Sequence, residues 1–472
     1  MNKITERYIG FDCGNSSIRT VVGTYDGDRI ALEIISQVPN REYRGIKYDH
    51  WDILAIFHEM LNGMKLACAA FPDIRSFGIS TWGIDFGLLG RSRELLGNPL
   101  CYRNVLGTLG MSRLSRRDLD MMFGATGIQN HPMNSLYQLL GIREALGEYY
   151  EQAKVLLLIP DLLNYLFTGE VNSETSIFST TQLLDMRTRR LSEAVLSATG
   201  LDKSLFVPMI PHGNVRGTLK QSLAEMYHIP KLHAVSVPSH DTAAAVVCVP
   251  SEQERFAFIS SGTWSLIGTE TSSPIVNDTV MELGFTNEGG VFDSITLLKN
   301  SCGMHILQNI KREMESLDSR SYRWDELVAL SMPGLGKNDI PTFDPNSDLL
   351  YHPDSMIRAI TKLTGLQDIG LVLASAYRSL AISYRRAIED LQTIIGETFD
   401  TIHIIGGGSK NDHLNQMTAD LTGKTVVSGP EEATSLGIIA VQILHEHPDM
   451  SLHDIRTIIR KSVRLGRFVP RC

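Results

Sequence analysis

Two short hairpins stand out in the pattern of apolar and polar positions along the chain. Apolar residues 8–11 and 18–22 flank a polar stretch of Asp, Cys, Gly, Asn and Ser residues, and apolar residues 256–259 and 264–267 flank a stretch of Ser, Gly and Thr. Each pattern predicts a strand, a tight turn and a returning strand. The hairpins lie roughly 245 residues apart, which indicates an internally duplicated fold.

Strand patterns alternate with helical patterns around these hairpins, as is typical of α/β domains. The predicted helices cover residues 51–70, 136–145, 371–395 and 411–421. The other predicted strands cover residues 76–81, 155–159, 234–237, 401–405 and 425–427. Because 472 residues exceed the size at which one core keeps growing, we predict two lobes, residues 1–250 and 251–472, with a cleft between them.

The composition and net charge of the chain limit the kinds of molecule that it is expected to bind. A content of 43% hydrophobic and 21% charged residues is that of a folded globular protein. The net charge of -9 disfavours nucleic acid, which selects a basic surface. The start of the chain does not resemble a secretory signal, and we identify no apolar run of about 18 residues that would span a membrane. The six cysteines show no CxxC spacing and are expected to be reduced thiols, so we expect a cytoplasmic protein with a small-molecule substrate.

The turns of the two hairpins are candidate phosphate-binding sites. A turn without bulky side chains lets backbone N–H groups approach phosphate oxygens closely. Asp12, at the head of the first turn, could hold Mg²⁺ through water, and Arg19 could help to neutralise phosphate charge. The alternative is that each hairpin is only a turn. The occurrence of two such hairpins favours phosphate binding.

Asp241 is the candidate catalytic residue. It follows an apolar strand, and the carboxyl ends of strands in open α/β sheets are where ligands bind. There it could accept the proton of an attacking hydroxyl, as catalytic aspartates of phosphoryl-transfer enzymes do. The alternative is that Asp241 only caps the following helix. A hydrolase triad is excluded, because Ser239, His240 and Asp241 are consecutive and cannot converge.

A third loop, residues 406–409, contains three glycines and a serine between a strand and a helix. Bare backbone of this kind can lie against a nucleotide, although the loop could also be only the entry to a helix. The chain has no P-loop: Gly423-Lys424-Thr425 lacks the required upstream glycine, because position 418 is Thr418. Phosphate must therefore be bound in another way.

Motifs in the same order along nearly the whole chain resemble those of one family. They are the turn that starts at Asp12 and residues 81–86, 159–166, 179–184, 238–242, 260–265, 285–290, 297–300 and 406–409. Together they resemble the motifs of the FGGY carbohydrate kinases, and within that family those of the rhamnulokinase branch. The resemblance implies two actin-like ATPase (ribonuclease H-like) lobes of the α/β class, with the sugar mainly on the first lobe, ATP mainly on the second and a catalytic cleft that closes over both.

The resemblance also implies roles for individual residues. Asp241 takes the position of the catalytic base, and Asp12 would support Mg²⁺. The ketose would be contacted by Gly83, His240, Asp241, Thr242 and Asn300. The nucleotide would be contacted by Asn15, Ser16, Ser17, Ile18, Arg19, Thr263, Gln308 and Gly407. The implied reaction is the transfer of phosphate from ATP to L-rhamnulose, which gives L-rhamnulose 1-phosphate.

Three positions depart from the family pattern. Asn104 and Leu106 stand where members usually carry Asp and Arg, and Ile18 stands where a glycine is common. Other ketoses, such as L-fuculose or L-xylulose, therefore remain alternative substrates. An actin-like ATPase that acts as a scaffold is a further alternative, and the chain is expected to be a monomer or a homodimer.

Overall fold

The structure is a computed structural model of the chain and describes residues 5–336, 339–351 and 353–471. The strands are β1 (Glu6–Cys13), β2 (Ser17–Tyr25), β3 (Ile30–Pro39), β4 (Glu42–Arg44), β5 (Asp49–Trp51), β6 (Ile74–Thr81), β7 (Phe86–Leu89), β8 (Val155–Leu158), β9 (Leu184–Asp185), β10 (Arg190–Leu191), β11 (Val215–Thr218), β12 (His233–Val235), β13 (Ala257–Ser261), β14 (Trp264–Thr271), β15 (Thr286–Gly289), β16 (Ile295–Cys302), β17 (Thr401–Ile405), β18 (Thr425–Ser428) and β19 (Gly466–Phe468).

The α-helices are α1 (Ile53–Ala70), α2 (Leu106–Met111), α3 (Arg116–Thr126), α4 (Ser135–Ala145), α5 (Gly147–Gln152), α6 (Ile159–Thr168), α7 (Thr175–Ser179), α8 (Glu193–Thr199), α9 (Gln221–Tyr227), α10 (Asp241–Val247), α11 (Asp278–Glu282), α12 (His305–Asp318), α13 (Trp324–Leu335), α14 (Met356–Thr364), α15 (Ile369–Ile395), α16 (Asp412–Thr422), α17 (Ala433–Glu446) and α18 (Leu452–Ser462).

The chain forms two compact units, each built from separated segments. The first unit contains the chain up to Glu252 together with Glu270–Leu297 and Ala433–Val463, and the second contains Gln253–Thr269, Leu298–Glu432 and the segment from Arg464. The predicted division into residues 1–250 and 251–472 has a single boundary, whereas in the structure two later segments, 270–297 and 433–463, belong to the first unit. As a statement about which lobe binds which substrate, that division stays a prediction.

The first unit is built on a six-stranded sheet with the order β11-β12-β6-β1-β2-β3. Strands β1, β2 and β3 form an antiparallel meander, and β6 and β12 continue the sheet parallel to β1. The first predicted hairpin is therefore confirmed as β1 and β2. The predicted helix 51–70 begins later, at Ile53, because Trp51 ends β5 and the side chain of Asp52 caps α1 by accepting from the Ala55 amide.

Helices cover both faces of this sheet. On one face Phe11 of β1 stacks on Phe167 of α6, with ring centroids 5.6 Å apart, and α1 packs in the same core. On the other face α17 lies so close that a Cβ on Gly23 would come within 2.3 Å of Ile439. The C-terminal segment of the chain is thus part of the core of the first unit.

Helix α1 is the one helix in the described ranges that is long and apolar enough to cross a membrane. One of its faces, which includes Ile53, Ile56, Met60 and Met64, is buried in the core of the first unit. Its length and composition are therefore explained by packing in the core.

The second unit repeats the same strand pattern. Strand β13 pairs antiparallel with β14 and parallel with β17, and β18 extends the sheet parallel to β17. This confirms the second predicted hairpin and the internal duplication. The predicted loop 406–409 forms a single turn of 3-10 helix, Gly407–Lys410, that leads into α16.

Candidate functional site

Asp241 is the first residue of α10, which follows β12 in the first unit. The residue at the N-cap is His240, and no side chain caps the helix. The alternative in which Asp241 caps the helix is therefore wrong. Its Oδ1 atom accepts a hydrogen bond of 3.1 Å from Thr242 Oγ1, whereas Oδ2 makes no hydrogen bond or ion pair with the described residues. The side chain is 38% exposed, so one carboxylate oxygen remains available to a substrate.

His240 lies between two carboxylates. Its Nε2 atom is 3.4 Å from Asp241 Oδ1, and its Nδ1 atom is 3.2 Å from Glu288 Oε2 on β15. The second pair is a close ionic contact without the alignment of a hydrogen bond. Burial lowers the pKa of His240, but Glu288 and Asp241 outweigh burial and raise the pKa to about 9. The ring is therefore a cation at neutral pH.

Gly83 lies directly against this histidine. A Cβ at position 83 would come within 3.3 Å of His240 Nε2 and of Thr180 Oγ1. The next residue, Ile84, has a φ of 68°, a strained conformation for a β-branched side chain. It is held there because its amide donates to Thr180 Oγ1 and its carbonyl accepts from Ser135 Oγ. Strain of this kind is typical of functional sites.

A buried carboxylate, Glu174, fixes the backbone just before His240 and Asp241. Its Oε2 atom accepts the Ser239 amide at 2.9 Å, and its Oε1 atom is 2.5 Å from His212 Nε2. Burial raises the pKa of Glu174, but the His212 ring and the Ser176 hydrogen bonds outweigh it and lower the pKa to about 2. Glu174 is therefore ionised at neutral pH and holds the start of α10 in place.

A second buried pair supports the same strand end. Arg216 donates to Asp161 at 2.7 Å and to Ser239 Oγ at 3.3 Å. Neither this pair nor Glu174 and Glu288 was predicted as a site residue. Asp161 and Glu288 lie within the family motifs 159–166 and 285–290, a signal that could have pointed to them. Glu174 and Arg216 lie outside these motifs and meet Ser239 only through the tertiary fold.

Asp12 lies at the end of β1, where the first turn begins. Its Oδ2 atom accepts a hydrogen bond of 2.9 Å from Ser435 at the start of α17, and Arg19 Nη1 is 3.8 Å from the same oxygen. Among the other predicted nucleotide residues of this turn, Asn15 donates to the Tyr102 hydroxyl at 3.4 Å.

Ser16 and Ser17 of the first turn form hydrogen bonds through their main-chain carbonyl groups. The Ser16 carbonyl accepts from the Asn40 amide, and the Ser17 carbonyl accepts from the Gly14 amide. The side chain of Ile18 is buried in the core. Ile18 can therefore offer a nucleotide only its main chain.

The other predicted residues lie in the second unit. Thr263 is in the turn between β13 and β14, and its carbonyl accepts the His305 amide at the start of α12. Gln308 lies on the first turns of α12, and Asn300 is exposed on β16. A Cβ on Gly407 would have no atom within 4 Å, so the surface at this glycine is open. The predicted sugar and nucleotide residues are thus divided between the two units.

Asn104 and Leu106, which depart from the family pattern, both serve the fold of the first unit. Asn104 accepts from the amide of Asp49 and donates to its carbonyl, each at 2.9 Å. Leu106 is buried at the start of α2. Asn104 thus holds the start of β5, whereas Leu106 packs in a hydrophobic core of the first unit.

Solved structures share the fold of this chain. The gluconate kinase of Lactobacillus acidophilus superposes with a TM-score of 0.80 at 15% identity over 99% of this chain and 94% of that one. A xylulose kinase from Brucella ovis gives 0.79 at 16% identity over 99% and 95%. The fold is thus the two-domain, actin-like α/β fold of sugar kinases, as predicted.

Sequence comparison gives the family. Curated rhamnulokinases are similar to nearly the whole chain: that of Bacteroides thetaiotaomicron is 35% identical over 98% of this chain and 96% of its own length. That of Bacillus subtilis is 31% identical over 98% and 95%. The family models match residues 7–248, as the N-terminal domain, and residues 257–445, as the C-terminal domain. The chain therefore belongs to the FGGY family of carbohydrate kinases and takes ATP and a sugar as its substrates.

Proposed function

We propose that this kinase phosphorylates L-rhamnulose to L-rhamnulose 1-phosphate, with Asp241 as the general base. The choice of sugar is supported by the similarity to rhamnulokinases over almost the full length of the chain. The choice of base is supported by one observation above the others. Asp241 presents a carboxylate oxygen without a partner among the described residues, beside a charged histidine and a glycine that leaves space for a ligand.

The proposed chemical step uses the free oxygen of Asp241. The hydroxyl on C1 of the sugar donates its proton to Asp241 Oδ2 as its oxygen bonds to the γ-phosphorus of ATP. The bond between that phosphorus and the bridging oxygen breaks, and ADP leaves with the bonding electrons. Thr242 holds Oδ1 at 3.1 Å and His240 faces it at 3.4 Å. The other oxygen is therefore the one that points to the substrate.

The nucleotide would lie against turns with small side chains. Gly407 has an open surface, whereas Gly408 could not be replaced because a Cβ would lie 2.0 Å from Ser261 Oγ. In the first unit, a Cβ on Gly14 would meet nothing closer than 3.9 Å. Both turns thus leave backbone accessible to phosphate or ribose.

A magnesium ion fits the donors that are present. No group of three or more His, Cys, Asp or Glu side chains that could hold a metal occurs among the residues that the structure describes. Mg²⁺ in kinases does not need such a group, because it is held by one or two carboxylates together with substrate phosphates and water. Asp12 would supply that carboxylate, and the bound ion would neutralise charge on the phosphates.

The location in the cytoplasm is part of the same proposal. Five cysteines, Cys13, Cys68, Cys101, Cys248 and Cys302, are free in the structure, as expected in a reducing compartment. Cys472 lies outside the described residues.

A panel of sugars tests the proposed substrate. ADP release would be measured with L-rhamnulose, L-fuculose, L-xylulose, L-ribulose and glycerol at equal concentrations of MgATP. We expect the highest kcat/KM with L-rhamnulose and a product whose phosphate is on C1 by ³¹P–¹H correlation. A higher kcat/KM with another ketose would contradict the substrate. ADP release that does not depend on any sugar would favour the scaffold ATPase.

A further inference from the structure

The imidazole of His240 has a carboxylate at each of its two nitrogen atoms. Glu288 lies on the Nδ1 side at 3.2 Å, and Asp241 lies on the Nε2 side at 3.4 Å. The side chains of His240 and Glu288 are 10% and 12% exposed, so both are largely shielded from water. A neutral imidazole has one nitrogen without a proton. In this arrangement the lone pair of that nitrogen would lie close to a negatively charged carboxylate oxygen.

Among the residues that the structure describes, His240 is the one charged partner given to Glu288. Its Oε2 atom is buried and makes no hydrogen bond with the described residues, and the cation beside it is His240. An ionised carboxylate out of water is costly unless a charge of opposite sign is close. The pair therefore stabilises both groups when the histidine carries a proton on each nitrogen.

We propose that Glu288 is a positioning residue of the sugar site, which holds the His240 ring doubly protonated with Nε2 directed at Asp241 Oδ1. This role rests on the proposed function of Asp241 as the base. With Oδ1 facing the His240 cation and accepting from Thr242, the carboxylate has a fixed orientation and Oδ2 stays free for the sugar hydroxyl. Loss of the proton from Nε2 would remove one of the two contacts that orient the base.

The groups that face His240 agree with this role. Besides Glu288 from β15 and Asp241 from α10, Glu174 before α7 adds negative charge from a third direction. Gly83 borders the ring without adding charge. Although burial lowers the pKa of His240, these carboxylates raise it to about 9. Activity that needs the cation should therefore be present below this pH and be lost as the pH rises through it.

A pH profile of Glu288→Gln tests the role. The glutamine keeps the size of the side chain but removes the charge that lies beside Nδ1. We expect the alkaline limb of kcat/KM for the sugar to move down by about 1–3 pH units, the size of a nearby charge effect. At the acidic end of the profile the variant should approach the unmutated enzyme, and KM for ATP should stay unchanged.

The matched control is Glu270→Gln, which neutralises another largely buried carboxylate of the first unit, the ion-pair partner of Arg456. We expect this control to leave the alkaline limb where it is, even if it lowers the melting temperature. A purely structural role of Glu288 would lower kcat/KM equally at every pH. That result, or an unshifted limb, would overturn the proposal.

A measurement on the unmutated protein covers the case in which Glu288→Gln does not fold. In protein with ¹⁵N-labelled histidine, the ring signals of His240 can be assigned by their loss in His240→Gln. We expect both ring nitrogens to show the shifts of imidazolium at pH 7.5, and a neutral tautomer at that pH would overturn the proposal. This spectrum needs no sugar, so its outcome is independent of whether the sugar panel supports the proposed function.

Discussion

Asp241 and Glu288 carry the same functional group in different surroundings. Asp241 is 38% exposed and keeps one oxygen free, whereas Glu288 is 12% exposed and faces a histidine. A carboxylate that accepts a proton must be reachable by the substrate, and one that only orients a neighbour need not be. At the scale of the residue, exposure thus separates the proposed base from the residue that positions it.

Asp241→Asn removes the proposed base and keeps the shape of the side chain. We expect kcat to fall by roughly 10²-fold or more, the scale of general-base effects, with KM for ATP changed little. Steady-state kinetics with sugar and ATP varied in turn would check both values. Asp412→Asn is the control, because Asp412 is also an exposed aspartate and is the first residue of a helix, α16. Near-normal turnover of Asp241→Asn would show that another group takes the proton.

Gly407→Ala tests whether a nucleotide lies against the second unit at this glycine. The added Cβ meets no protein atom within 4 Å, so the free energy of unfolding should stay within about 1 kcal/mol of its original value. A bound nucleotide would meet the methyl group, and we expect KM for ATP to rise about tenfold or more, which corresponds to about 1.4 kcal/mol of binding.

Gly124→Ala in α3 is the matched control, because a Cβ there also has no atom within 4 Å. It should leave KM for ATP unchanged and raise the free energy of unfolding by no more than about 1 kcal/mol, because alanine favours a helix interior over glycine. An unchanged KM in Gly407→Ala would place the nucleotide away from this glycine.

At the scale of elements, a buried aspartate joins the ends of two strands of the first unit. Asp85 Oδ2 accepts hydrogen bonds from the indoles of Trp51 at the end of β5, at 2.6 Å, and Trp82 just after β6, at 2.9 Å. Burial raises the pKa of Asp85 to about 7, and the hydrogen bonds from the two indoles and Gln138 offset only part of this shift. Asp85 thus holds the segment that contains Gly83. Its burial disfavours the charged carboxylate and so lowers the stability of the fold when Asp85 is ionised.

The sign of this pKa shift gives a prediction for stability. The pKa of Asp85 rises from an ordinary value of 3.8 to about 7 on folding, so the folded state binds more protons and its stability falls as the pH rises between these values. Asp85→Asn removes this loss. We expect the difference in unfolding free energy between the unmutated protein and Asp85→Asn to shift in favour of the variant from pH 5 to pH 8, by on the order of 3 kcal/mol.

Urea unfolding at the two pH values measures this difference. Ser135→Ala serves as the control, because it removes a hydrogen bond to Ile84 without removing a titratable group. Its cost should be the same at both pH values. A difference for Asp85→Asn that also stays constant with pH would mean that Asp85 remains charged throughout the range.

At the scale of the molecule, the first unit depends on a segment that lies far away in the sequence. Helix α17 packs Ile438 and Ile439 against Gly10, Gly78 and Gly23 of the sheet. Gln442 on the same helix accepts from Ser76 Oγ and donates to the Ile9 carbonyl. Without α17, one face of the β1-β2-β6 sheet would be exposed to water.

A fragment of residues 1–252 should therefore not fold on its own. We expect it to unfold without a cooperative transition, as followed by circular dichroism and urea, because its sheet lacks one covering layer. The same fragment joined by flexible linkers to residues 270–297 and 433–463 should regain a cooperative transition. A joined fragment that carries Ile438→Asp and Ile439→Asp is the control and should not regain it. Cooperative unfolding of residues 1–252 alone would contradict the expectation.

Local sequence patterns were enough to predict the two hairpins and to select Asp241 as the candidate base. The strands β1, β2, β13 and β14 were predicted because apolar runs interrupted by small residues specify a hairpin without distant contacts. Asp241 was predicted because it lies shortly after an apolar strand, at the start of the next helix. By contrast, Glu288 lies 47 positions after Asp241 and reaches His240 only because β15 folds back into the first unit.

The sequence by itself thus determined the α/β class, the duplication, the two turns and the candidate base, since each depends on the order of neighbouring residues. Only the tertiary structure decided that residues 270–297 and 433–463 belong to the first unit, that Glu174 accepts from the Ser239 amide and that Glu288 lies beside the His240 ring. The physical reason is that burial and charge pairing act between side chains that are close in space, and closeness between distant parts of the chain exists only after folding.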